Sequence, residues 1–583
     1  MSSSSLIPKY QAAQPIIEPP ALPRSASCGD LDLPGPFSLK TESQDETRTG
    51  LKRRVNTAST EILGAKKDEV RKVDYFEKLP DELKVRIFGY LRPKELVRAS
   101  LVSRQWHALC YDGQLWTVFD ATEFYKDIPV DKLVGIISTA GGFIRHLNLR
   151  GCVQLQNDWR VGAVSTASQN LVYANLEGCK LERIAIHNIV GNNEKLVQIN
   201  LSGQQSITNS TLRLMAVKCP RLESLDVSWC SGVDAARGLR KIIEGCPELR
   251  ELKASEMARF DEISPMQAMF RANTLERLYL SGCETLTDDS IRAMVEGRHP
   301  DIDPLTGRTT APPRKLKHLD VSRCSRLTSA SLKHLAHNVP DLEGLQLSRC
   351  DLLTDDGFTT LLPTLTKLTH LDVEECSQIT DETILALASA PCAVTLKHLQ
   401  LSYCELVGDA GLGPLIKACP NLMNLELDNT RAGDFTMEEI GMQVRRRTDM
   451  RGKTGAFVGM RVVMYDCPSI TWNGVREVMI RNATKRPYED VHGQVVQMKC
   501  YYGWQMTCDE HLKRVLRGDL CSANKLETKW AEHMIAVEEG HGRRRRRRDA
   551  GTQDFIPELD DEAGPVSSWR NRGRRRGASC AIM

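Results

Sequence analysis

Aromatic residues make up only 5% of this 583-residue chain, so a large core has to be built from aliphatic side chains. That suits stacked repeats better than a deep enzyme pocket. Net charge is nearly missing too: 78 Lys+Arg stand against 75 Asp+Glu, which excludes a globally basic nucleic-acid binder and an acidic disordered chain. No apolar run approaches the roughly 18–20 residues needed to cross a bilayer. The first ten residues are Ser-rich and polar, so no secretory signal is expected, and the 19 cysteines are expected to stay reduced in the cytosol or nucleus. Nucleophile–base patterns and glycine-rich dinucleotide loops are also missing. Arg451-Gly452-Lys453-Thr454 resembles the end of a phosphate loop, but Arg447 stands where that loop needs its first glycine. Neither catalysis nor a cofactor is expected.

What is present falls into segments. Residues 1–73 are rich in Ser, Pro, Gln and Thr and hold too little apolar surface to offset their ordering entropy, so disorder is predicted. Lys52-Arg53-Arg54 reads as a solvated cluster or a short nuclear-import fragment. From Val73 apolar residues appear. Leu83, Ile87 and Leu91 recur at i, i+4 and i+8 behind Pro80, which predicts a helix over residues 81–91. Pro93 starts a second helix reaching residue 101, and Ser103 is a candidate N-cap for a third carrying Trp106, Leu109 and Cys110. Three helices in residues 74–120 form a domain too small to be comfortable alone, so a partner should cover its leftover apolar side chains.

After a linker, 121–142, residues 143–481 repeat a line of the form Leu-x-x-Leu-x-Leu-Ser-x-Cys, plainest from Leu316 to Cys324, Leu342 to Cys350, Leu368 to Cys376 and Leu396 to Cys404. Its second strand leucine, or an equivalent, falls at 149, 176, 201, 227, 254, 280, 321, 347, 373, 401, 427 and 464. Most intervals are about 25–28 residues, the period of a leucine-rich repeat with one strand and one helix per unit. Two intervals are longer and hold insertions, at 298–313 and around 445–455. Alternation in Leu371 to Cys376 predicts a strand. Thr380 then caps a helix whose first residue, Asp381, suits the positive end of the helix dipole.

Cys152, Cys179, Cys230, Cys283, Cys324, Cys350, Cys376, Cys404 and Cys467 occupy one repeat position, with Gln204, Met257 and Thr430 in its other three occurrences. A small apolar thiol fits inside a turn, whereas ligands a whole repeat apart cannot close a zinc tetrahedron. Cys219, Cys246 and Cys419, each before Pro, read as helix-end residues. His492, Cys500, Cys508, His511 and Cys521 match no closed metal motif. No metal site is expected.

Leu79-Pro80-Asp81-Glu82-Leu83, Ile87-Phe88-Gly89-Tyr90-Leu91, Leu96, Val102-Ser103-Arg104-Gln105-Trp106 and Leu115-Trp116 resemble an F-box. The repeats resemble the cysteine-containing class of leucine-rich repeats. Together the two resemble the F-box/leucine-rich-repeat substrate receptors of SCF ubiquitin ligases. The fold class implied is an α/β solenoid, with a three-helix F-box before a leucine-rich-repeat horseshoe, a disordered N-terminus and a basic C-terminal tail. The resemblance also implies a non-enzymatic substrate-recognition subunit. Its F-box would bind a Skp1-like adaptor through Leu79, Pro80, Leu83, Ile87, Phe88, Leu91, Leu96, Val102, Trp106, Leu115 and Trp116, and reach a cullin and a RING protein through it. The repeats would hold a protein substrate for ubiquitin-dependent degradation.

In such repeats the strand residues between the core leucines face the concave side. The later units offer His318, Asp320, Gln346, His370, Asp372, His398, Gln400, Asn424 and Glu426. This strip is acidic with interleaved histidines, and Asp320, Asp372 and Glu426 would favour a basic or neutral substrate segment. The phosphate-reading Arg/Lys cluster is missing, although Arg323 and Arg349 at the edge keep a phosphate site open. Residues 482–540 are placed to cap the last repeat.

From His541 on, 11 Arg stand against 6 carboxylates, including Arg543 to Arg548, Arg570, Arg572 and Arg574 to Arg576. Residues 541–583 read as a disordered Arg-rich tail ending in Cys580-Ala581-Ile582-Met583, a prenylation box whose terminal Met points to a farnesyl group on Cys580. One lipid plus a polybasic patch anchors a protein to a membrane surface. Cytoplasmic and peripheral-membrane locations follow, with the nucleus as a further one. Alternatives are a ubiquitin-independent repeat scaffold at membranes and an Arg-tail nucleic-acid binder. No aromatic residues interleave the Arg runs, so a nucleic-acid partner is not expected.

Overall fold

A computed structural model describes residues 76–549, apart from 124, 127, 156–160, 306–307, 448–454 and 485–492. The first 73 residues and the segment from 550 to Cys580 and Met583 lie outside the described residues.

Three short helices come first: α1 (Asp81–Phe88), α2 (Pro93–Ala99) and α3 (Arg104–Cys110). Each begins where the sequence supplies a start. Pro80 precedes α1, Pro93 opens α2, and the Ser103 side chain accepts a hydrogen bond from the Trp106 N–H at 3.1 Å to cap α3. The first two end three and two residues before the expected 91 and 101, where Gly89 and Ser100 close the last turns, whereas α3 carries Trp106, Leu109 and Cys110 as expected.

Fourteen strands follow in one parallel sheet, each paired with its sequence neighbours. They are β1 (Val118–Asp120), β2 (His146–Asn148), β3 (Tyr173–Asn175), β4 (Gln198–Asn200), β5 (Ser224–Asp226), β6 (Glu251–Lys253), β7 (Arg277–Tyr279), β8 (His318–Asp320), β9 (Gly344–Gln346), β10 (His370–Asp372), β11 (His398–Gln400), β12 (Asn424–Glu426), β13 (Ala456–Val463) and β14 (Gly493–Lys499). Helices or 3₁₀ turns return the chain between strands. The middle residue of each three-residue strand is buried and, apart from Asn175 and Gly344, its neighbours are more exposed, the alternation expected when one face packs on helices and the other stays open. The sheet exceeds the expected 143–481 span by one strand at each end. β1 lies at the end of the segment taken for the F-box, and β14 in the segment taken for a cap. Neither carries the full leucine line, yet each completes the backbone pairing of its neighbour.

Two repeated devices hold the units in register. Just after each strand from β2 to β13 one residue adopts positive φ: Gly151, Gly178, Gly203, Trp229, Glu256, Gly282, Arg323, Arg349, Glu375, Tyr403, Asn429 and Asp466. From Gly151 to Asn429 its N–H donates to a carbonyl of the next unit, as from Arg323 to Ser348 at 2.7 Å and from Tyr403 to Asp428 at 2.6 Å. The cysteine that follows turns its thiol inward, donating to the strand-end carbonyl of the preceding unit: Cys350 to Val321 at 3.4 Å, Cys376 to Leu347 at 3.3 Å, Cys404 to Val373 at 3.2 Å. Burial pushes these thiols up, to about 11 at Cys350 and about 12 at Cys404, so they remain S–H donors. Gln204 reaches the Leu176 carbonyl in the same way, and Thr430 bonds the Leu427 carbonyl at 2.7 Å. Met257 fills the position with no donor, so packing is its common demand and the hydrogen bond an added contribution wherever a donor is present.

On the helical side an aspartate at the first helical position, after Thr354, Thr380 or Gly408, links adjacent units. Thr380 caps its helix through the Glu382 N–H at 3.2 Å, as its sequence predicts, and Asp381 additionally accepts from the Gly408 N–H of the next unit at 2.8 Å. Asp355 and Asp409 do the same for the Thr380 and Gly433 amides.

Beyond β14 the helix Tyr502–Leu516 and the helix Leu520–Asp549 pack on the end of the solenoid. Trp530 meets Trp472 at 5.9 Å and Trp504 at 6.5 Å between ring centroids, and the Trp472 indole N–H donates to Glu538 at 2.6 Å. The last helix runs past His541 and through Arg543 to Arg548. The disorder expected from residue 541 therefore does not apply to residues 541–549.

Candidate functional site

Two surfaces bear on function, the three-helix segment and the open face of the sheet. In the first, Phe76, Phe88 and Trp106 meet with centroids 5.1–5.7 Å apart. Trp116 donates its indole N–H to the Cys110 carbonyl at 2.9 Å and packs on Phe119 of β1 at 5.8 Å. One buried cluster runs from Phe88 through the whole solenoid to Ala531, so the small bundle gains stability by sharing the solenoid's core.

That core claims part of the expected docking face. Phe88, Leu96 and Trp116 are buried and pack in the core instead of lying open on that face. Leu79, Trp106 and Leu115 are half-buried. Pro80, Leu83, Ile87, Leu91 and Val102 are exposed, with Leu83 at 46% and Ile87 at 44%. Tyr90 and Leu101 were missed, and they are more exposed still, at 83% and 82%. Pro80, Leu83, Ile87 and Leu91 share one side of α1 and its extension by the i, i+4 rule. An apolar stripe of this kind on so small a bundle marks an interaction surface.

On the sheet, the register aligns Glu251, Arg277, His318, Gly344, His370, His398, Asn424 and Arg461 in one row, and Lys253, Tyr279, Asp320, Gln346, Asp372, Gln400 and Glu426 in the next. Every substrate-strip residue expected from the sequence is on this face. His370 and His398 stack at 4.2 Å with planes 9° apart. The His398 ring meets the Asn424 amide at 2.6 Å, and the His370 ring meets the Thr369 hydroxyl at 2.7 Å. Burial, then the His398 and His318 rings, pushes His370 down to about 4. Burial also lowers His318 and His398. All three rings are neutral near pH 7.

The carboxylates have local duties. Asp226, Asp320 and Asp372 each accept from the backbone N–H two residues on, at 2.9–3.1 Å, closing an Asx-type turn into the positive-φ position. Asp320 and Asp372 therefore shape the strand exit as well as facing any ligand. Burial raises both, and raises Glu374, Glu426 and Asp428, where neighbouring carboxylates push in the same direction. Arg323 pairs with Glu256 at 2.8 Å and Arg349 with Glu375 at 2.7 Å, so the two cations considered for a phosphate are already engaged.

Among the described residues no three His, Cys, Asp or Glu side chains are grouped to hold a metal. Cys500 and Cys508 lie 3.7 Å apart in the terminal cap, His511 is buried nearby in the same helix, Cys521 is exposed, and His492 falls outside the described residues. Arg451 to Thr454 also fall outside them. No described helix is long and apolar enough to cross a membrane.

A family model described as F-box-like matches residues 76–121, and one described as Leucine Rich repeat matches 364–388 and 393–415. The chain combines an F-box-like segment with leucine-rich repeats. Among solved structures it is similar to one titled as the crystal structure of the Rad7 and Elc1 complex in yeast, at 17% identity and a TM-score of 0.45, over 70% of this chain and 98% of that one.

Proposed function

We propose that this F-box/leucine-rich-repeat chain is the substrate-recognition subunit of an SCF-type ubiquitin ligase. The exposed stripe of Leu83, Ile87 and Leu91 with Leu101 and Val102, on a segment matching the F-box-like model, carries this reading. It would dock on a Skp1-like adaptor, and through it on a cullin and a RING protein. The open strand face would hold the substrate near a ubiquitin-charged enzyme of the complex. The chain's own contribution to rate is then proximity and orientation, with the bond chemistry supplied by other subunits, and the captured protein is marked for degradation.

The test is co-purification of the intact chain and of a Leu83→Asp/Ile87→Asp variant. The parent is expected to bring down the adaptor and cullin, and the variant neither. A parent that captures no adaptor would instead favour a ubiquitin-independent scaffold. The same variant serves as a substrate trap, because proteins held on the strand face are no longer passed to the ligase.

The C-terminal Cys580-Ala581-Ile582-Met583, next to Arg570, Arg572 and Arg574 to Arg576, supports farnesylation of Cys580 and attachment to an anionic membrane surface. A Cys580→Ser variant is expected to shift from the membrane to the soluble fraction. Identical partitioning would overturn this part.

A further inference from the structure

Near the C-terminal end of the strand face the charges do not balance. Asp372 and Glu426 flank Gln400 in one register row. Glu374 and Asp428 follow two residues after each, on either side of Ser402. Gln400 donates its amide N–H to Glu374 at 2.7 Å, and Asp428 accepts from the Tyr465 N–H at 2.7 Å. The cations whose charge reaches these carboxylates are Lys499, beside Glu426 and Asp428, and Arg349, beside Glu374. Arg349 is held by Glu375.

A second observation points into the cluster. Ser402 is only 2% exposed, and its hydroxyl finds no hydrogen-bond partner among the described residues. Ser348, two units earlier, occupies the same register and helps hold the Asp372 carboxyl of the next unit down, whereas Ser402 has no such influence on Glu426. A buried, unpaired hydroxyl between Glu374 and Asp428 is unusual, and the carboxylates around it suit a ligand carrying several N–H donors. The rim is aromatic: Tyr403 is exposed, and Tyr465 packs against the exposed Tyr502 at 5.6 Å. Carboxylates beside aromatic faces favour guanidinium groups, which pair bidentately and stack.

We propose that this cluster is occupied by the chain's own C-terminal arginines, Arg570, Arg572 and Arg574 to Arg576, making the tail an intramolecular occupant of the strand face. The reach is adequate. The 30-residue helix Leu520–Asp549 is about 45 Å long, and Asp428 sits two strands from the sheet edge, ~10–15 Å away at the usual spacing. Residues 550–569 can span up to ~70 Å, which exceeds the two distances together. Tethering gives the tail an effective concentration on the order of millimolar, so it outcompetes a free basic segment of similar affinity. The occupancy does not depend on the ligase reading.

The probe is a fluorescent peptide of residues 566–579, titrated against full-length chains by anisotropy. In the parent the site is filled and the peptide is expected to bind weakly. In R570Q/R572Q/R574Q/R575Q/R576Q it should bind about tenfold tighter or more, and the gain should shrink as salt rises. Adding D372N/E374Q/E426Q/D428N, which keeps the turn-closing acceptors, should remove binding again. E426K alone should weaken it if that fourfold variant fails to fold. Equal peptide affinity in parent and tail-neutral chains overturns the proposal, as does binding that survives neutralising the cluster. A photo-crosslinker at position 569 should give links within one chain, to residues 372–502. Links between chains would assign the site to a second copy and overturn it. Adaptor capture through Leu83 and Ile87, read in the same samples, should not change, so failure here is distinct from failure of the ligase reading.

Discussion

Consider the double variant Leu83→Ala/Ile87→Ala. Fully burying a Leu or Ile side chain is worth ~1.5–3 kcal/mol. Exposures of 46% and 44% mean that just over half of that burial is already realised within the chain. The fraction left for an adaptor to cover corresponds to about 1 kcal/mol per residue, hence about 2 kcal/mol for the pair, or ~30-fold in Kd. The two residues are one helical turn apart and share a surface, so their effects need not add strictly. Titration of purified Skp1-like adaptor by calorimetry gives the Kd, and thermal melting of the free chain reports the folding cost. Phe88→Ala is the contrast: it removes a buried ring that packs on Phe76 and Trp106 and should cost ~3–5 kcal/mol of stability. An adaptor Kd within twofold of the parent, in a Leu83→Ala/Ile87→Ala chain that melts normally, would refute the assignment of this stripe to the adaptor.

Two further outcomes follow from the packing. Asp409 accepts from the Gly433 N–H at 2.7 Å and from the Thr436 hydroxyl at 2.5 Å; Asp409→Ala strands both donors and should cost ~2–3 kcal/mol by denaturant unfolding, while Asp409→Asn, which keeps an acceptor, should recover most of it. His511 is 1% exposed with its Nε2 unpartnered, and burial, helped by Arg514, pushes its pKa down to about 4. Its folded pKa lies below the unfolded ~6.5, so the unfolded chain binds the proton first; stability is unaffected above that value and falls between about pH 6.5 and 4, by up to ~3 kcal/mol. His511→Met should flatten that part of the stability–pH curve, and an unchanged slope would show that another group titrates there.

The solenoid was legible because its period is carried by leucines whose burial every unit needs, and the strand-face residues followed from period-two alternation. The end strands were not legible, since β1 and β14 pair through backbone groups that any side chain supplies. The positive-φ row was half visible: glycine marks it at 151, 178, 203 and 282, while Arg323, Arg349, Glu375 and Tyr403 pay the same backbone strain and so bring charged or aromatic side chains to the rim. Within the F-box-like segment the motif alone could not separate Phe88 and Trp116, which hold the bundle to the solenoid, from Leu83 and Ile87, which it leaves open. Both kinds are large, apolar and helically spaced, and only the position of the neighbouring core tells them apart. Asp320 and Asp372 pose the same problem in polar form. Their strand-end position predicts exposure to a ligand and equally predicts a turn-closing acceptor, and the backbone N–H two residues on shows that the second duty is already filled. Glu374, Glu426 and Ser402 differ from them: Gln400 is the side-chain hydrogen-bond partner found for Glu374, and Ser402 has none. A ligand for this face is therefore better sought where those three side chains join Asp372 and Asp428 than around Asp320, which the repeat pattern brings forward first.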